Sequence, residues 1–196
     1  MSAKTEYEVP SWNQIYGMLL QQSQKIKSTG YKPDIIVGIA RGGLVPSRIL
    51  ADLLETKDFA IITIEYYVGI NQTRQEPVLK QCLHTRLTDK KVLLVDDVSD
   101  AGRSLQLAKQ HLKEQYAKEI RIATIYCKPG TITMPDYFEK ETNRWIVFPW
   151  EARETLTKIS RKSPNNSFQV EVANLIKSGM SADLAKRLLK EEEKNL

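Results

Sequence analysis

Asp96 and Asp97 follow the apolar run Val92-Leu93-Leu94-Val95, and after Val98-Ser99 comes the turn Asp100-Ala101-Gly102-Arg103-Ser104. A buried strand that ends in paired carboxylates and passes through small residues into a helix makes an anion cradle. Backbone N–H groups between Asp100 and Ser104 can point at a phosphate, Gly102 lets it come close, and the helix dipole adds partial positive charge. Asp96 and Asp97 cannot face that phosphate themselves. At the carboxyl end of a parallel strand, where open sheets bind ligands, they suit hydroxyls or a metal ion. The combination describes a ligand with a phosphate and a diol, as in ribose 5-phosphate.

Other chemistries for this stretch fail on spacing. A calcium loop starting at Asp96 needs Gly at its sixth position and Glu at its twelfth, where the chain has Ala101 and Leu107. A P-loop needs Gly-Lys-Ser or Gly-Lys-Thr, and neither occurs. An acidic surface turn would leave the apolar strand, paired acids and small-residue turn as coincidence. The two cysteines, Cys82 and Cys127, have no zinc or redox spacing and read as reduced packing residues. His84 and His111 fall outside the chemistry and read as surface residues.

The elements that must position this stretch follow from periodicity. Ser11 with Gln14 three residues on forms a capping box ahead of Trp12, Ile15, Leu19 and Ile26, and Gly30 closes that helix. Ile35 to Ile39 reads as a strand buried on both faces, ended by Arg41-Gly42-Gly43. A helix is expected over about 45–54 and strands over 60–66 and 78–83. Between those strands, 68–77 reads as a long loop or hairpin tip and a candidate lid. Leu105, Ala108, Leu112 and Tyr116 repeat at helical spacing before a strand near 120–127, which completes a βαβ unit with a right-handed crossover. Helices are expected over 151–161, 168–177 and 182–193, with Val172, Leu175, Ile176, Leu184 and Leu188 as their core. The fold class is therefore α/β: an open, mostly parallel sheet flanked by helices. Residues 1–150 form one domain, including a hood over about 128–150, and 151–196 form a C-terminal helical appendage.

The 196 residues suffice for one core plus a small appendage. Net charge is +5, which suits an anionic ligand, while the absence of a basic block or an aromatic-interleaved basic strip argues against nucleic acid. No apolar run approaches the ~20 residues of a membrane span, and the N-terminus lacks the apolar core of a secretory signal. A cytoplasmic location is expected.

Residues 92–104 resemble the signature of the type I phosphoribosyltransferases: an apolar strand, two acids, two residues, then Asp-Thr-Gly-x-Thr. The resemblance implies that Asp96 and Asp97 hold the ribose hydroxyls of 5-phosphoribosyl-1-pyrophosphate (PRPP), with Mg²⁺ as cofactor. It implies that Asp100, Ala101, Gly102, Arg103 and Ser104 form the 5-phosphate turn, and that Asp100 also transfers a proton at the base. Ala101 stands where Thr is usual, which removes one hydroxyl contact and predicts weaker PRPP binding. Gly38 to Leu44 resembles the family's pyrophosphate loop, giving Arg41 and Gly42 a role toward pyrophosphate and implying a cis peptide at Ala40–Arg41.

The segment 127–151 resembles the base-binding hood of 6-oxopurine enzymes. By that resemblance Lys128 donates to the exocyclic oxygen at purine position 6, Trp145 stacks on the base, the Ile146 backbone meets its edge, and Glu151 helps hold a second Mg²⁺. Trp150 reads as core. Glu65-Tyr66-Tyr67 with 68–77 occupy the place of the family's mobile catalytic loop, by position only. The implied activity is purine salvage: a purine base plus PRPP gives a purine nucleoside 5'-monophosphate and pyrophosphate. Lys128 favours hypoxanthine or guanine, Gly130 and the helical tail leave adenine open, and a homodimer is expected. The alternative on the same fold is a PRPP-sensing regulator that binds nucleic acid.

Overall fold

The computed structural model describes residues 6–68, 75–83, 85–162 and 166–193. Its elements are β1 (Tyr7–Glu8), α1 (Trp12–Ser28), β2 (Ile35–Ala40), α2 (Leu44–Leu53), β3 (Asp58–Val68), β4 (Gln75–Gln81), β5 (Lys91–Ser99) and α3 (Arg103–Glu114). They continue with β6 (Glu119–Cys127), β7 (Lys140–Glu141), β8 (Trp145–Ile146), a 3₁₀ turn (Pro149–Glu151), α4 (Ala152–Lys162), α5 (Asn166–Lys177) and α6 (Ala182–Glu193). The chain divides into two compact units, 16–142 and 1–15 with 143–196.

In the unit 16–142 a six-stranded sheet runs in the order β4-β3-β2-β5-β6-β7. Every neighbouring pair is parallel except β3 with β4. The strands at its centre are buried on both faces, as their unbroken apolar runs require. Ile35, Val37 and Ile39 of β2 join Val92 and Leu94 of β5 in a core with Ile62 and Ile64 of β3 and Leu105, Ala108 and Leu112 of α3. The intervening Ile36 and Leu93 are fully buried on the opposite face. There Gln22 of α1 donates to the Thr124 carbonyl of β6 at 2.7 Å. Each large side chain so buried contributes about 1.5–3 kcal/mol.

The capping box forms as expected: the Ser11 amide donates to Gln14 Oε1 at 2.7 Å, and the Gln14 amide donates to Ser11 Oγ at 3.3 Å. Ile15, Leu19 and Ile26 point inward, but Trp12 is exposed. One further expectation is narrowed and two are corrected. The segment 68–77 does join an antiparallel hairpin, one of the two readings offered, but its bounds narrow: β3 and β4 extend through Val68 and Gln75, and the remainder, 69–74, lies outside the described residues. Tyr116 lies beyond α3, at positive φ and exposed, because the helix ends at Glu114. His111 is buried, and its Nε2 accepts the Leu83 amide at 3.1 Å, so it anchors the chain after β4 to α3. His84 lies outside the described residues.

In the other unit β1 pairs parallel with β8, and Tyr7, Val147, Ala152, Leu156, Leu175, Met180 and Ala185 form its core. The Tyr7 hydroxyl donates to Glu171 at 2.6 Å. Of the apolar residues expected inside the tail, Leu175 is buried and Val172 and Leu188 pack at the edge of the core. Ile176 and Leu184 are exposed, and Met180 and Ala185 hold the interior instead. Trp150 stacks on Phe148 with centroids 4.8 Å apart, in keeping with a packing role.

Candidate active site

The sheet order puts a topological switch point between β2 and β5, where open α/β sheets bind ligands. From β2 the chain moves to β3 on one side, while β5 adds on the other, so the connections leaving the two strands diverge at their carboxyl ends. Both turns singled out in the sequence lie at that point.

At the end of β2 the Ala40–Arg41 peptide is cis, where the family resemblance implied one. The next residues must be glycines because the loop lies hard against the neighbouring strands. A Cβ on Gly43 would come within 2.5 Å of the Val95 carbonyl oxygen and 2.7 Å of that of Ile39. One on Gly42 would overlap the Asp97 carboxylate. Thus Arg41-Gly42-Gly43 and the acid pair lie together, and Arg41 is exposed.

β5 continues to Ser99, so Asp96 and Asp97 sit inside its last turn of pleat and not past its end. Both are nearly buried, at 9% and 7% exposure, and the Asp97 amide donates to Asp96 Oδ1 at 3.0 Å. Asp100 is exposed at the mouth of the turn. Gly102 has φ 80°, the left-handed region that a side chain tolerates poorly, and caps α3 without a side-chain hydrogen bond. The helical ladder starts with the Gln106 amide donating to the Gly102 carbonyl at 3.0 Å, so the amides of 103–105 lie ahead of it. These are the donors an anion needs. The side chains of the turn meet the hairpin: Arg103 pairs with Glu76 at 3.0 Å, and Ser104 Oγ donates to the Tyr66 hydroxyl oxygen at 2.9 Å.

The end of β6 lies beside this turn. The Lys128 amide donates to the Ser99 carbonyl at 2.9 Å, and the Ile132 amide donates to the Ala101 carbonyl at 3.2 Å. Ser99 is fully buried; its hydroxyl meets Thr131 Oγ1 at 2.7 Å and donates to the Thr133 carbonyl at 2.9 Å. A Cβ on Gly102 would meet Thr131 Oγ1 and come within 2.6 Å of the Thr133 amide nitrogen. The segment 128–133 is therefore a strap against the turn. Burial holds the Lys128 ammonium below the ordinary lysine range, and the Asp100 charge offsets part of that shift.

The family model described as "phosphoribosyl transferase domain" matches residues 13–155. The chain belongs to the phosphoribosyltransferase family. It is accordingly an enzyme of the pentosyltransferase class. It is 32% identical over 145 residues to a protein of Nitratidesulfovibrio vulgaris named xanthine-guanine phosphoribosyltransferase, covering 72% of this chain and 83% of that one. It is 31% identical over 151 residues to the protein of the same name from Cereibacter sphaeroides, covering 72% and 84%. Among solved structures, a purine phosphoribosyltransferase from Pyrococcus horikoshii is 37% identical with a TM-score of 0.68, covering 74% of this chain and 94% of that one.

For a phosphoribosyltransferase, the structure brings together Arg41, Gly42, Asp96, Asp97, Asp100, Ala101, Gly102, Arg103, Ser104 and Lys128, all within the unit 16–142. Trp145, Ile146 and Glu151 belong to the other unit. Trp145 is half exposed; its amide and that of Val147 donate to the carbonyls of Glu6 and Glu8, so by strand alternation the Ile146 amide turns the other way. The contacts absent from the sequence reading are the Ser99–Thr131–Thr133 network and the pairs Tyr66–Ser104 and Glu76–Arg103. They join residues far apart in the chain, and no spacing signals them. No helix among the described residues is long and apolar enough to cross a membrane.

The donor chemistry fits Mg²⁺. Asp96 and Asp97 offer hard carboxylate oxygens, and the missing Cβ of Gly42 lets the Asp97 carboxylate lie directly against the Arg41-Gly42-Gly43 loop. No cluster of three or more potential ligands occurs among the described residues. Mg²⁺ is commonly bound by one or two carboxylates and otherwise by substrate oxygens and water.

Proposed function

We propose that this phosphoribosyltransferase joins a 6-oxopurine to PRPP, forming a purine nucleoside 5'-monophosphate and pyrophosphate. The observation that supports the reading is the placement of Lys128 and Asp100 at adjoining strand ends, near enough for the Asp100 charge to act on the ammonium, next to the acid pair and the phosphate turn. Position 6 and the five-membered-ring nitrogen N7 lie on one edge of a purine. A donor-only ammonium beside a carboxylate matches an oxygen at the first and a proton to be lost at the second. Adenine would present its amino group to Lys128, donor against donor. The names of the relatives from N. vulgaris and C. sphaeroides support the same choice.

In this mechanism the amides of 103–105 hold the 5-phosphate, and Asp96 and Asp97 hold the ribose hydroxyls and Mg²⁺. Arg41 and the amides of its loop face the departing pyrophosphate. Bound Mg²⁺ supplies further positive charge against that leaving group. The purine nitrogen attacks the anomeric carbon as the bond to pyrophosphate breaks, and Asp100 accepts the proton from the five-membered ring. Trp145, Ile146 and Glu151 remain in the proposal on family resemblance alone.

The test mixes the protein, Mg²⁺ and PRPP separately with hypoxanthine, guanine, xanthine, adenine, uracil and orotate. Nucleotide and pyrophosphate should appear with at least one 6-oxopurine. Product with adenine alone, or with a pyrimidine alone, would reject the role given to Lys128.

A further inference from the structure

The phosphate turn is poor in side-chain donors. Between residues 100 and 104 Ser104 carries the one hydroxyl, and Ala101 offers none. The Arg103 guanidinium is engaged with Glu76 at 3.0 Å. What stands at the turn instead is a hydroxyl from elsewhere in the chain: the Tyr66 phenol, whose oxygen accepts from Ser104 Oγ at 2.9 Å.

Tyr66 is presented by a scaffold. It lies in β3 opposite Pro77 of β4, and Glu76, the residue before Pro77, is the one that pairs with Arg103. Two contacts thus hold the hairpin to the first turn of α3, with the phenol at the rim. A phenol that accepts one hydrogen bond keeps its own O–H to donate. An anion oxygen bound by Ser104 can be reached by Tyr66 as well, the three oxygens forming a triangle with sides of about 2.7–2.9 Å.

Building on the phosphoribosyl-transfer reading of this turn, we propose that the Tyr66 hydroxyl is a direct ligand of the substrate's 5-phosphate and supplies the donor that Ala101 lacks. On binding, the Ser104 proton turns from Tyr66 to the phosphate, and the Tyr66 proton joins it. Both become charge-assisted bonds, stronger than the neutral bond they replace. The pyrophosphate end of PRPP is assigned to Arg41 at the end of β2, on the strand beside β3, and Tyr66 to the 5-phosphate end only.

That asymmetry gives the test. Calorimetric titrations of ribose 5-phosphate and, separately, of pyrophosphate with Mg²⁺ are compared for the wild type, Tyr66→Phe, and Tyr66→Phe combined with Ala101→Thr. Tyr66→Phe should weaken ribose 5-phosphate about tenfold and raise the KM for PRPP by a similar factor. Pyrophosphate affinity should stay unchanged, and kcat should stay within about twofold of wild type. Adding Ala101→Thr should recover most of the lost affinity. A merely structural tyrosine would instead lower the melting temperature and weaken both ligands together, and that result overturns the proposal. So does unchanged ribose 5-phosphate affinity in Tyr66→Phe, or no recovery in the double variant. A wild-type protein that binds neither ligand overturns the phosphoribosyl reading of the site, and this inference with it; normal wild-type binding beside an unaffected variant overturns this inference alone.

Discussion

The ends of β5 and β6 are neighbours, yet they are built on different principles. At the end of β5 the proposed recognition is largely a property of the main chain: a left-handed glycine and the amides at the start of α3, joined by two nearly buried carboxylates, all within residues 96–105. At the end of β6 the proposed recognition depends on one side chain, the Lys128 ammonium, at the head of a strap whose Thr131, Ile132 and Thr133 bond to the neighbouring turn. A main-chain site is written in contiguous residues and tolerates few substitutions at its glycines. A side-chain site can be retuned by one replacement, which is how a single frame can serve different bases.

Asp100 sits where the two meet, and its variant should show the largest effect. Asp100→Ala removes the proposed proton acceptor but none of the amides of 103–105, so turnover should fall by about 10²–10⁴-fold. Affinity for ribose 5-phosphate should change little. Steady-state kinetics beside calorimetry check this, and equal losses in both would erase the distinction between a binding turn and a catalytic acid.

Lys128→Met is expected to have a smaller effect, confined to the base. The KM for a 6-oxopurine should rise roughly 10–100-fold, the size of a lost charged hydrogen bond, with the KM for PRPP unchanged. The pH profile sharpens the assignment. Because burial lowers the Lys128 pKa from 10.5, the ammonium is lost earlier than in an ordinary lysine. Base binding should therefore decline on the alkaline side at a pH below 10.5. The sign for stability is opposite: the folded state releases this proton more readily than the unfolded state, so the cost of burying the charge is relieved as pH rises through the folded value. An alkaline limb that persists unchanged in Lys128→Met would assign it to another group.

The same contrast governs what could be read from the sequence. The strand 92–95, the acid pair and the turn 100–104 were legible because a parallel strand and a helix start carry their own local patterns, apolar continuity and small residues. The capping box of α1 was legible for the same reason, since its donors and acceptors lie three residues apart. The cis bond came from family resemblance, on which the pyrophosphate role proposed for residues 38–44 and the base role proposed for Lys128 also rest; physical patterning alone would not have supplied them. His111 escaped because its partner, the Leu83 amide, is 28 residues away and comes near only when α3 packs beside the chain that follows β4. Ile176 and Leu184 were misplaced because helical spacing narrows the candidates for the core face without choosing among neighbours, and packing selected Met180 and Ala185.

Ser99 decides whether the two strand ends work independently. Its buried hydroxyl bridges the last residue of β5 to Thr131 and Thr133 of the strap, while its carbonyl receives the Lys128 amide. Ser99→Ala removes the bridge without adding bulk, leaves the Thr133 carbonyl without that donor, and should cost about 1–3 kcal/mol of stability in denaturant unfolding. If the strap merely rests on the turn, the loss ends there and both KM values stay put. If it sets the spacing between Lys128 and Asp100, the KM for the base should rise a few-fold while PRPP, held by amides that precede the helical ladder, is affected less. Joint movement of both values would mean that the main-chain cradle is not self-supporting, and that the strap belongs to the phosphate site as much as to the base.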